Sequence, residues 1–315
     1  MSITITQLQR ASLNEFAELL SAIDAAEGQP IVHTVDELDE EFDGTHSTLN
    51  DVVEIRVNGT LVAGGYTALY PGESQHRCFL FGGVHPNERG HGYGTALIDH
   101  LIHAGHSRLD ALDNNIEKVI GAYHSTTNTT TSACFERRGF DPTRWFDDLH
   151  RNLDTIPMPQ QLDEYRIVAW DPSRDEEMRS VKNDAFRDHW GSQPTNTEEW
   201  RQLTTGAAAR LDLSLAALDR DNDIVGVLLV HRHADDDASL GAKYAWIDKV
   251  AVLRDHRGHG IARELIISAM RDMQRDGLER VALGVDSDNP TGAHRLYTAL
   301  GFTPWTRYVI HQRPR

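Results

Sequence analysis

Apolar residues along the chain follow two kinds of spacing. Short runs rich in β-branched residues, such as 52–57 and 224–232, predict strands. Segments such as 13–25 and 176–187 carry apolar residues at helical spacing and predict amphipathic helices. One order recurs in both halves of the sequence: strand, one or two helices, several strands, a loop and a helix, strand, helix and strand. This order predicts an α/β fold of the α+β type, with a mixed sheet and helices on both of its faces.

Composition marks the point at which one half ends and the next begins. Residues 151–163 contain two prolines and show little periodicity, which is typical of a linker. We therefore expect a first domain, a linker and a second domain at residues 1–153, 154–163 and 164–315. A strand at 145–149 is expected to close the first domain, and a strand at 308–312 is expected to close the second.

The most informative stretch, residues 245–270, begins as a strand and ends as a helix. Gly258 and Gly260 separate the two elements, and apolar residues recur at helical spacing from Ile261 onwards. A glycine loop that opens into a helix presents backbone N–H groups and the positive end of the helix dipole, which together favour a phosphate. The spacing alone also fits a plain turn. It does not fit a Walker loop, and Arg263 stands where a dinucleotide fingerprint needs its third glycine.

The same signature occurs twice in the sequence. Val252 is followed five residues later by Arg257 and the glycines, and Val84 is followed in the same way by Arg89. The offset between the copies is 168 residues, from 84 to 252 and from 89 to 257. The repeated pattern resembles the acyl-coenzyme A pyrophosphate loop of the GNAT superfamily of N-acetyltransferases. The resemblance covers nearly the whole chain and implies two tandem GNAT domains.

This resemblance implies acetyl-coenzyme A as the co-substrate and no metal. It also implies that residues of both loops, together with one asparagine, bind coenzyme A. In the second half these are Val250, Val252, Arg257, Gly258, His259, Gly260, Ile261, Ala262 and Asn289. In the first half they are Val84, Arg89, Gly90, His91, Gly92, Tyr93 and Gly94. By the same analogy the backbone N–H of Val252 receives the thioester carbonyl. Asn289 also fits a helix cap, which is compatible with binding.

Two positions distinguish the halves chemically. In the family, a carboxylate four residues before the valine serves as a base, and a tyrosine four residues before a Gly-Phe pair serves as an acid. The second half has Asp248 and Tyr297 at these positions, whereas the first half has Leu80 and Phe135. We therefore predict that the C-terminal domain is catalytic and that the N-terminal domain is catalytically degenerate, whether or not it binds coenzyme A. The alternatives are an Asp248 carboxylate paired with Lys249 and a Tyr297 ring packed on the core.

The acceptor substrate is expected beside the end of the first helix of the second half. Asp188 there suits an ammonium, Arg187 suits a carboxylate or phosphate, and Trp190 can stack on a sugar. An ordinary helix end is the alternative interpretation of these three residues. The segment 231–237 contains two histidines and three aspartates, but a solvent-facing loop is favoured over a metal site.

The net charge of −17 narrows the possible partners. Phosphate contacts need a basic face, so this charge argues against nucleic acid. It fits either the steering of a cationic amine or the solubility of an acidic protein. The sequence has no apolar run long enough to span a membrane. Its first ten residues lack a basic segment followed by an apolar one, so we expect no signal peptide. The two cysteines, Cys78 and Cys134, do not suggest a disulfide framework. We expect a cytoplasmic monomer that acts on a small-molecule amine.

Within the tandem GNATs, the chain resembles the mycothiol synthases, which acetylate the cysteinyl amine of a cysteinyl-glucosaminyl-inositol. The resemblance rests on R-x-L-x-x-I-P-x-P in 151–159, on the helix segment 181–189 and on the acidic segment 286–289 before Tyr297. It implies acetyl transfer to a primary amine by direct attack on the thioester. The alternatives are another amine, such as an aminosugar antibiotic or a peptide or protein N-terminus, and a non-catalytic acyl-coenzyme A sensor.

Overall fold

The computed structural model describes residues 3–29, 31–187, 189–288 and 292–315. Contacts divide the chain into two compact units. The first is formed by Met1–Trp145 with Arg307–Arg315, and the second by Phe146–Thr306. Each unit holds a sheet with both parallel and antiparallel pairs, against which helices pack. The mixed α/β class predicted from the sequence is therefore confirmed.

The chain begins with β1 (Ile5–Gln7), α1 (Leu13–Ala26), α2 (Val35–Phe42), β2 (Val52–Val57), β3 (Thr60–Tyr70), β4 (Gln75–Val84), α3 (Tyr93–Asp110), β5 (Glu117–Ser125), α4 (Thr129–Glu136) and β6 (Asp141–Asn152). It continues with β7 (Arg166–Ala169), α5 (Asp175–Phe186), α6 (Thr197–Thr205), β8 (Leu215–Leu218), β9 (Ile224–His231), α7 (Asp237–Leu240), β10 (Tyr244–Val252), α8 (Ile261–Arg275), β11 (Arg280–Asp286), α9 (Ala293–Ala299) and β12 (Thr303–Pro314).

The two sheets have equivalent strand orders. The first unit runs β1-β2-β3-β4-β5-β12, and its only parallel pair among these described strands is β4 with β5. The second unit runs β6-β11-β10-β9-β8-β7, and its corresponding parallel pair is β10 with β11. The hairpin between β2 and β3 turns at Asn58 and Gly59, whose φ values of 51° and 84° suit an Asn-Gly pair.

The strands that close the two sheets are exchanged relative to the sequence prediction. Residues 146–152 of β6 pair with β11 in the second unit. Residues 308–314 of β12 pair with β5 in the first unit. The prediction that a strand at 145–149 closes the first domain and that 308–312 closes the second is therefore wrong. Alternation of apolar and polar residues identifies a strand, but it carries no information about which strand will be its neighbour.

The core of the second unit fixes the position of α8. The apolar residues of this helix that recur at helical spacing are at most 1% exposed: Ile261, Leu265, Ile266, Ala269 and Met270. Complete burial of a large aliphatic side chain stabilises the fold by about 1.5–3 kcal/mol, so the start of α8 and the loop before it are held firmly. In the described part of the chain, no helix has the length and apolar character needed to cross a membrane.

Two buried histidines of the first unit predict a pH-dependent stability. His124 on β5 and His311 on β12 lie with Nε2 and Nδ1 3.1 Å apart. Burial lowers the pKa of both imidazoles, although Glu136 acts in the opposite direction on His311. The folded chain therefore takes up protons less readily than the unfolded chain. The stability is complete above the ordinary histidine pKa of 6.5 and decreases as the pH falls below it.

We expect the midpoint of thermal unfolding to fall as the pH is lowered from about 7 to about 5. The slope should be smaller in His311→Gln, which removes one imidazole of the pair. An equal slope in the variant and the wild type would show that other groups dominate the acid sensitivity.

Candidate active site

The site lies where the parallel strands β10 and β11 separate. The two strands pair only as far as Ile247 and Leu283. On the other side of β10, the register with β9 shifts between Ile247 and Lys249, so Asp248 is the additional residue of a β-bulge. Successive side chains of a regular strand point to opposite faces. At this bulge Lys249 Nζ instead lies 3.0 Å from Asp248 Oδ1.

A cavity of about 580 Å³ lies between the separated strands. Its volume is within the usual range for small-molecule sites. Its described lining residues all belong to the second unit, and they come from β6, α5 and the segment after it, β10, the glycine loop, the start of α8, β11 and α9. The predicted catalytic residues Asp248 and Tyr297 both line it, as do Gly258 and Gly260 of the loop. The structure thus brings the predicted catalytic pair and the predicted phosphate loop to one cavity.

The corresponding place in the first unit is built differently. The register between β3 and β4 runs without a shift from Ala63↔Val84 to Tyr70↔Arg77, so the bulge is missing there. The pairing of β4 with β5 extends through Leu80. Aromatic rings occupy the strand faces, and the ring centroids of Tyr66 and Phe81 are 5.0 Å apart. Neither the bulge nor a carboxylate is present at the position that carries Asp248 in the second unit.

The glycine loop has the geometry that an anion site requires. Gly258 and Gly260 have φ values of 84° and 83°, in the left-handed region that favours glycine. Gly260 is the cap residue of α8, so the first backbone N–H groups of the helix follow directly. In the first unit Gly90 and Gly92 adopt φ values of 87° and 86° in front of α3. The repeat in the sequence is therefore a repeat in backbone conformation.

The arginine of each signature anchors the loop to the preceding strand. Arg257 Nε donates to the carbonyl of Val252 at 3.1 Å, and its guanidinium also donates to the carbonyl of Ala185 at 2.8 Å. Arg89 Nε donates in the same way to the carbonyl of Val84 at 3.4 Å. Two of the Arg257 donors are thus used within the protein. Arg257 also lines the cavity, so both loop positioning and ligand contact fit this residue.

The other predicted residues are divided between the cavity and the surface. Val250, Val252, Ile261, Ala262 and Trp190 line the cavity. His259 does not line it, and its ring lies 5.7 Å from that of Tyr165. In the first loop, His91 Nδ1 bonds to the carbonyl of Glu88, while Tyr93 and Gly94 begin α3.

Two of the predicted binding residues, Asp188 and Asn289, lie outside the described residues. Arg187 does not line the cavity. Its side chain is 77% exposed and pairs with Asp184 one helical turn earlier. Of the predicted acceptor-binding residues that the structure describes, Trp190 lines the cavity and Arg187 does not.

Asp248 is held as a carboxylate by the cations around it. Burial raises the pKa of this carboxyl group, but the neighbouring charges, with that of Lys249 first, and the hydrogen bond from Lys249 outweigh burial and leave the pKa below its usual range. Lys249 Nζ lies 3.0 Å from both carboxylate oxygens, yet Oδ2 has no hydrogen-bond partner in the described part of the chain. A buried acceptor of this kind is normally satisfied, and a donor on a bound ligand would satisfy it.

Tyr297 has the opposite electrostatic environment. Its side chain on α9 is 9% exposed, and the centroid of its ring lies 6.0 Å from that of Phe302. Burial raises the pKa of the phenol to about 12. The hydroxyl therefore stays protonated throughout the physiological range. Such a group can donate a proton to a strongly basic atom that forms beside it.

Lys182 is a further residue of the site, which was not predicted from the sequence. Lys182 lines the cavity and is 4% exposed. It lies on the buried face of α5 with Met178, Val181 and Ala185. A lysine at an apolar helical position was the available signal, because lysine is almost never buried without a reason. Within the described residues, no group of three His, Cys, Asp or Glu side chains is placed to hold a metal ion.

Comparison with known proteins gives a consistent result. The sequence model of the Acetyltransferase (GNAT) family matches residues 16–140 and 176–302. A protein of Nocardia farcinica named mycothiol acetyltransferase is 28% identical over 249 residues, which cover 76% of this chain and 76% of that protein. A protein of the same name from Frankia alni is 30% identical over 242 residues, which cover 72% of this chain and 68% of that protein.

Solved structures show the same architecture. A GCN5-related N-acetyltransferase from Sphaerobacter thermophilus matches with a TM-score of 0.78 and 25% identity, covering 99% of this chain and 95% of that chain. A tandem GNAT protein from the clavulanic acid biosynthesis pathway matches with a TM-score of 0.72 and 17% identity, covering 99% and 98%. At the latter identity the similarity concerns the fold alone.

Proposed function

The chain belongs to the GNAT acetyltransferase family, and we propose that it transfers the acetyl group of acetyl-coenzyme A to a primary amine of a small molecule. The proposal is supported most directly by a single observation. One cavity in the second unit is lined by the glycine loop, by the carboxylate of Asp248, whose Oδ2 lacks a hydrogen bond from the described residues, and by the phenol of Tyr297. These are the groups that direct attack of an amine on a thioester requires.

The donor is proposed to enter between the separated strands. The backbone N–H groups at the start of α8 hold the pyrophosphate, because the helix dipole and the unpaired donors both favour an anion. The thioester then lies along β10, with the backbone N–H of Val252 as the donor to its carbonyl. Fixing the thioester in this way converts the reaction with a bound amine into an effectively unimolecular step.

Asp248 and Tyr297 act on opposite sides of the thioester in this proposal. Asp248 carries a negative charge at neutral pH, because its pKa is below the usual range. It therefore attracts and orients the ammonium of the acceptor. Its role as a proton acceptor, expected from the family, is weakened by the same low pKa, because a weak base takes a proton slowly. Tyr297 gives its proton to the departing thiolate.

We propose that the first unit does not catalyse the reaction and has a structural role. Leu80 and Phe135 cannot exchange protons, and the β-bulge of the second unit has no counterpart in β4. Its glycine loop keeps the conformation of the catalytic loop. A second molecule of coenzyme A bound there is therefore compatible with the structure, and binding stoichiometry will determine whether it occurs.

The proposed acceptor is mycothiol-like. Relatives at about 28% identity are named mycothiol acetyltransferase, so the cysteinyl amine of a cysteinyl-glucosaminyl-inositol is the first compound to test. Trp190 and Phe146 line the cavity with ring centroids 6.3 Å apart. Aromatic side chains of this kind suit the apolar face of a sugar ring.

The test is the release of free thiol from acetyl-coenzyme A in the presence of candidate amines. The panel contains the cysteinyl-glucosaminyl-inositol, aminoglycosides, polyamines and peptides with free N-termini. Release with the first compound alone would support the mycothiol-like function. Release with a different amine would keep the chemistry and replace the acceptor. Binding of acetyl-coenzyme A without release in any case would contradict the proposed function and favour a sensor.

Replacement of Asp248 should weaken the use of the acceptor. A hydrogen bond to a charged group contributes about 1.5–3 kcal/mol, which corresponds to about a 10- to 100-fold change in kcat/KM. We therefore expect Asp248→Asn to lower kcat/KM for the amine by that factor, while the affinity for coenzyme A is unchanged. Asp163→Asn removes an exposed carboxylate of the linker and is the matched control. Equal activities of the two variants would exclude the ammonium-binding role.

A further inference from the structure

Lys182 is a charged residue of the cavity to which the reaction outlined above assigns no role. Its side chain is 4% exposed, and in the described part of the chain no carboxylate forms an ion pair with it. A lysine in this situation normally needs a partner, because the charged form is poorly solvated. We propose that Lys182 is the base that removes the proton from the acceptor ammonium.

The hydrogen bonds of Lys182 match a neutral amine. Its Nζ donates to Asn183 Oδ1 at 3.3 Å and to Thr195 Oγ1. A neutral amine has two N–H donors, and these two acceptors satisfy both, which leaves the lone pair available. An ammonium has three donors, and the third has no acceptor among the described residues. Thr195 is itself held in place, since its N–H donates to Asn183 Oδ1 at 2.8 Å.

Burial and the surrounding charges also bring the protonation equilibrium of Lys182 close to the working pH. Burial, together with the ammonium of Lys249, lowers the pKa of Lys182 to about 8, against smaller opposing effects of Glu199 and Asp248. Arg179 on the same helix also lowers the pKa. A base with a pKa near the working pH is effective in proton transfer from an alkylammonium. A carboxylate with a pKa below its usual range is a much weaker base, so the two residues suit different roles.

Asp248, Lys182 and Tyr297 have separate roles in the proposed reaction. Asp248 binds the ammonium by charge, and the lone pair of Lys182 Nζ takes one proton from it. The free amine attacks the thioester carbon, a C–N bond forms, and the C–S bond then breaks. Tyr297 protonates the departing sulfur. The nitrogen of the product still carries one proton too many, and this proton passes to Tyr297 and restores its phenol. Lys182 finally releases its proton to water. While it is charged, the Phe186 ring, with its centroid 5.6 Å from Nζ, stabilises the ammonium.

The inference rests on the proposed function, and the experiment separates the two. Steady-state kinetics are measured from about pH 6 to about pH 9 for wild type, Lys182→Met and Lys182→Arg, with an amine that the wild type acetylates. We expect kcat/KM for the amine to fall about 10²-fold in both variants near neutral pH. Arginine keeps the charge but is always protonated, so it should not restore activity. The rise of the wild-type profile near pH 8 should disappear.

A second acceptor isolates the proton transfer. Fluorination next to the amine lowers the pKa of its ammonium, so the fluorinated analogue is already neutral when it binds. The loss caused by Lys182→Met should be clearly smaller with this analogue. Lys243→Met, which removes an exposed lysine that does not line the cavity, is the control and should behave as the wild type. Thermal melting and coenzyme A binding establish that each variant is folded.

Each result is decisive for one of the two proposals. Full rescue by arginine would show that Lys182 supplies charge, and this would overturn the base role. An unchanged pH profile in Lys182→Met, or equal losses with both acceptors, would also overturn it while leaving the acetyltransferase function intact. If the wild type acetylates no amine although it binds acetyl-coenzyme A, the proposed function fails, and the base role fails with it.

Discussion

Tyr297→Phe is expected to lower kcat by about 10²–10⁴-fold, the usual effect of removing one acid–base group. The substitution deletes a single hydroxyl and leaves the ring that packs against Phe302. Burial raises the pKa of this hydroxyl to about 12, which keeps its proton in place at any working pH. In the proposed reaction the thiolate leaves beside this buried phenol, and burial raises the proton affinity of a thiolate. Protonation by Tyr297 therefore removes a charge that the cavity would otherwise hold.

The loss should be confined to the chemical step. The affinity for coenzyme A, measured by calorimetry, should be the same in the variant and the wild type, because the ring is retained. Tyr123→Phe removes a hydroxyl from a partly exposed tyrosine of the first unit and should leave kcat unchanged. A decrease of less than about 10-fold in Tyr297→Phe would be too small for a general acid. Solvent would then be the proton donor.

The parts of the site that could be predicted from the sequence are local. A glycine needed at positive φ, a helix that begins directly after it and an apolar spacing on α8 are all encoded within a few residues. Gly258 and Gly260 have the expected conformation, and the buried face of α8 is the one predicted. Because the signature is repeated, the positions of Asp248 and Tyr297 in the second half could also be compared with those of Leu80 and Phe135 in the first half.

The parts that could not be predicted depend on pairing between distant segments. The strands that pair with β6 and β12 belong to distant segments of the chain, and the alternation of apolar and polar residues within a strand carries no information about its partner. The β-bulge at Asp248 is likewise a property of two strands. It arises from the register between β9 and β10, and it brings Lys249 to the carboxylate. Lys182 reaches the same cavity from α5, which precedes β10 by more than one element in the chain.

The duplicated architecture itself offers a controlled experiment on function. The two glycine loops have nearly the same backbone geometry, so equivalent substitutions impose similar local strain on the fold. The loops differ in the chemistry that follows them, since only the second leads to a cavity with Asp248 and Tyr297. A difference between two matched variants therefore reports on the ligand and the reaction, and much less on folding.

Gly260→Val is expected to reduce kcat/KM for acetyl-coenzyme A by about 10³-fold. A residue with a Cβ costs about 1–2 kcal/mol in the left-handed region, and more when it is β-branched. The remaining loss comes from the pyrophosphate, whose charge-assisted hydrogen bonds to the backbone are each worth about 1.5–3 kcal/mol. Space within the protein is not the obstacle, because the nearest atom to an added Cβ would be Leu162 Cδ2 at 3.5 Å.

Gly92→Val is the matched control for this substitution. Gly92 has a φ of 86° against 83° for Gly260, and the nearest atom to an added Cβ would be Ile3 Cδ1 at 4.0 Å. The control should melt at a reduced temperature, as Gly260→Val does. Its kcat/KM should stay within about a few-fold of the wild-type value, because only the backbone strain of about 1–2 kcal/mol acts, and this strain lies in the first unit. Calorimetric titration with acetyl-coenzyme A adds the stoichiometry. If the wild type binds two molecules and Gly92→Val binds one, the first loop holds a ligand without catalysing the reaction. If Gly92→Val loses turnover as severely as Gly260→Val, the first unit takes part in the chemistry, and the assignment of catalysis to the second unit is wrong.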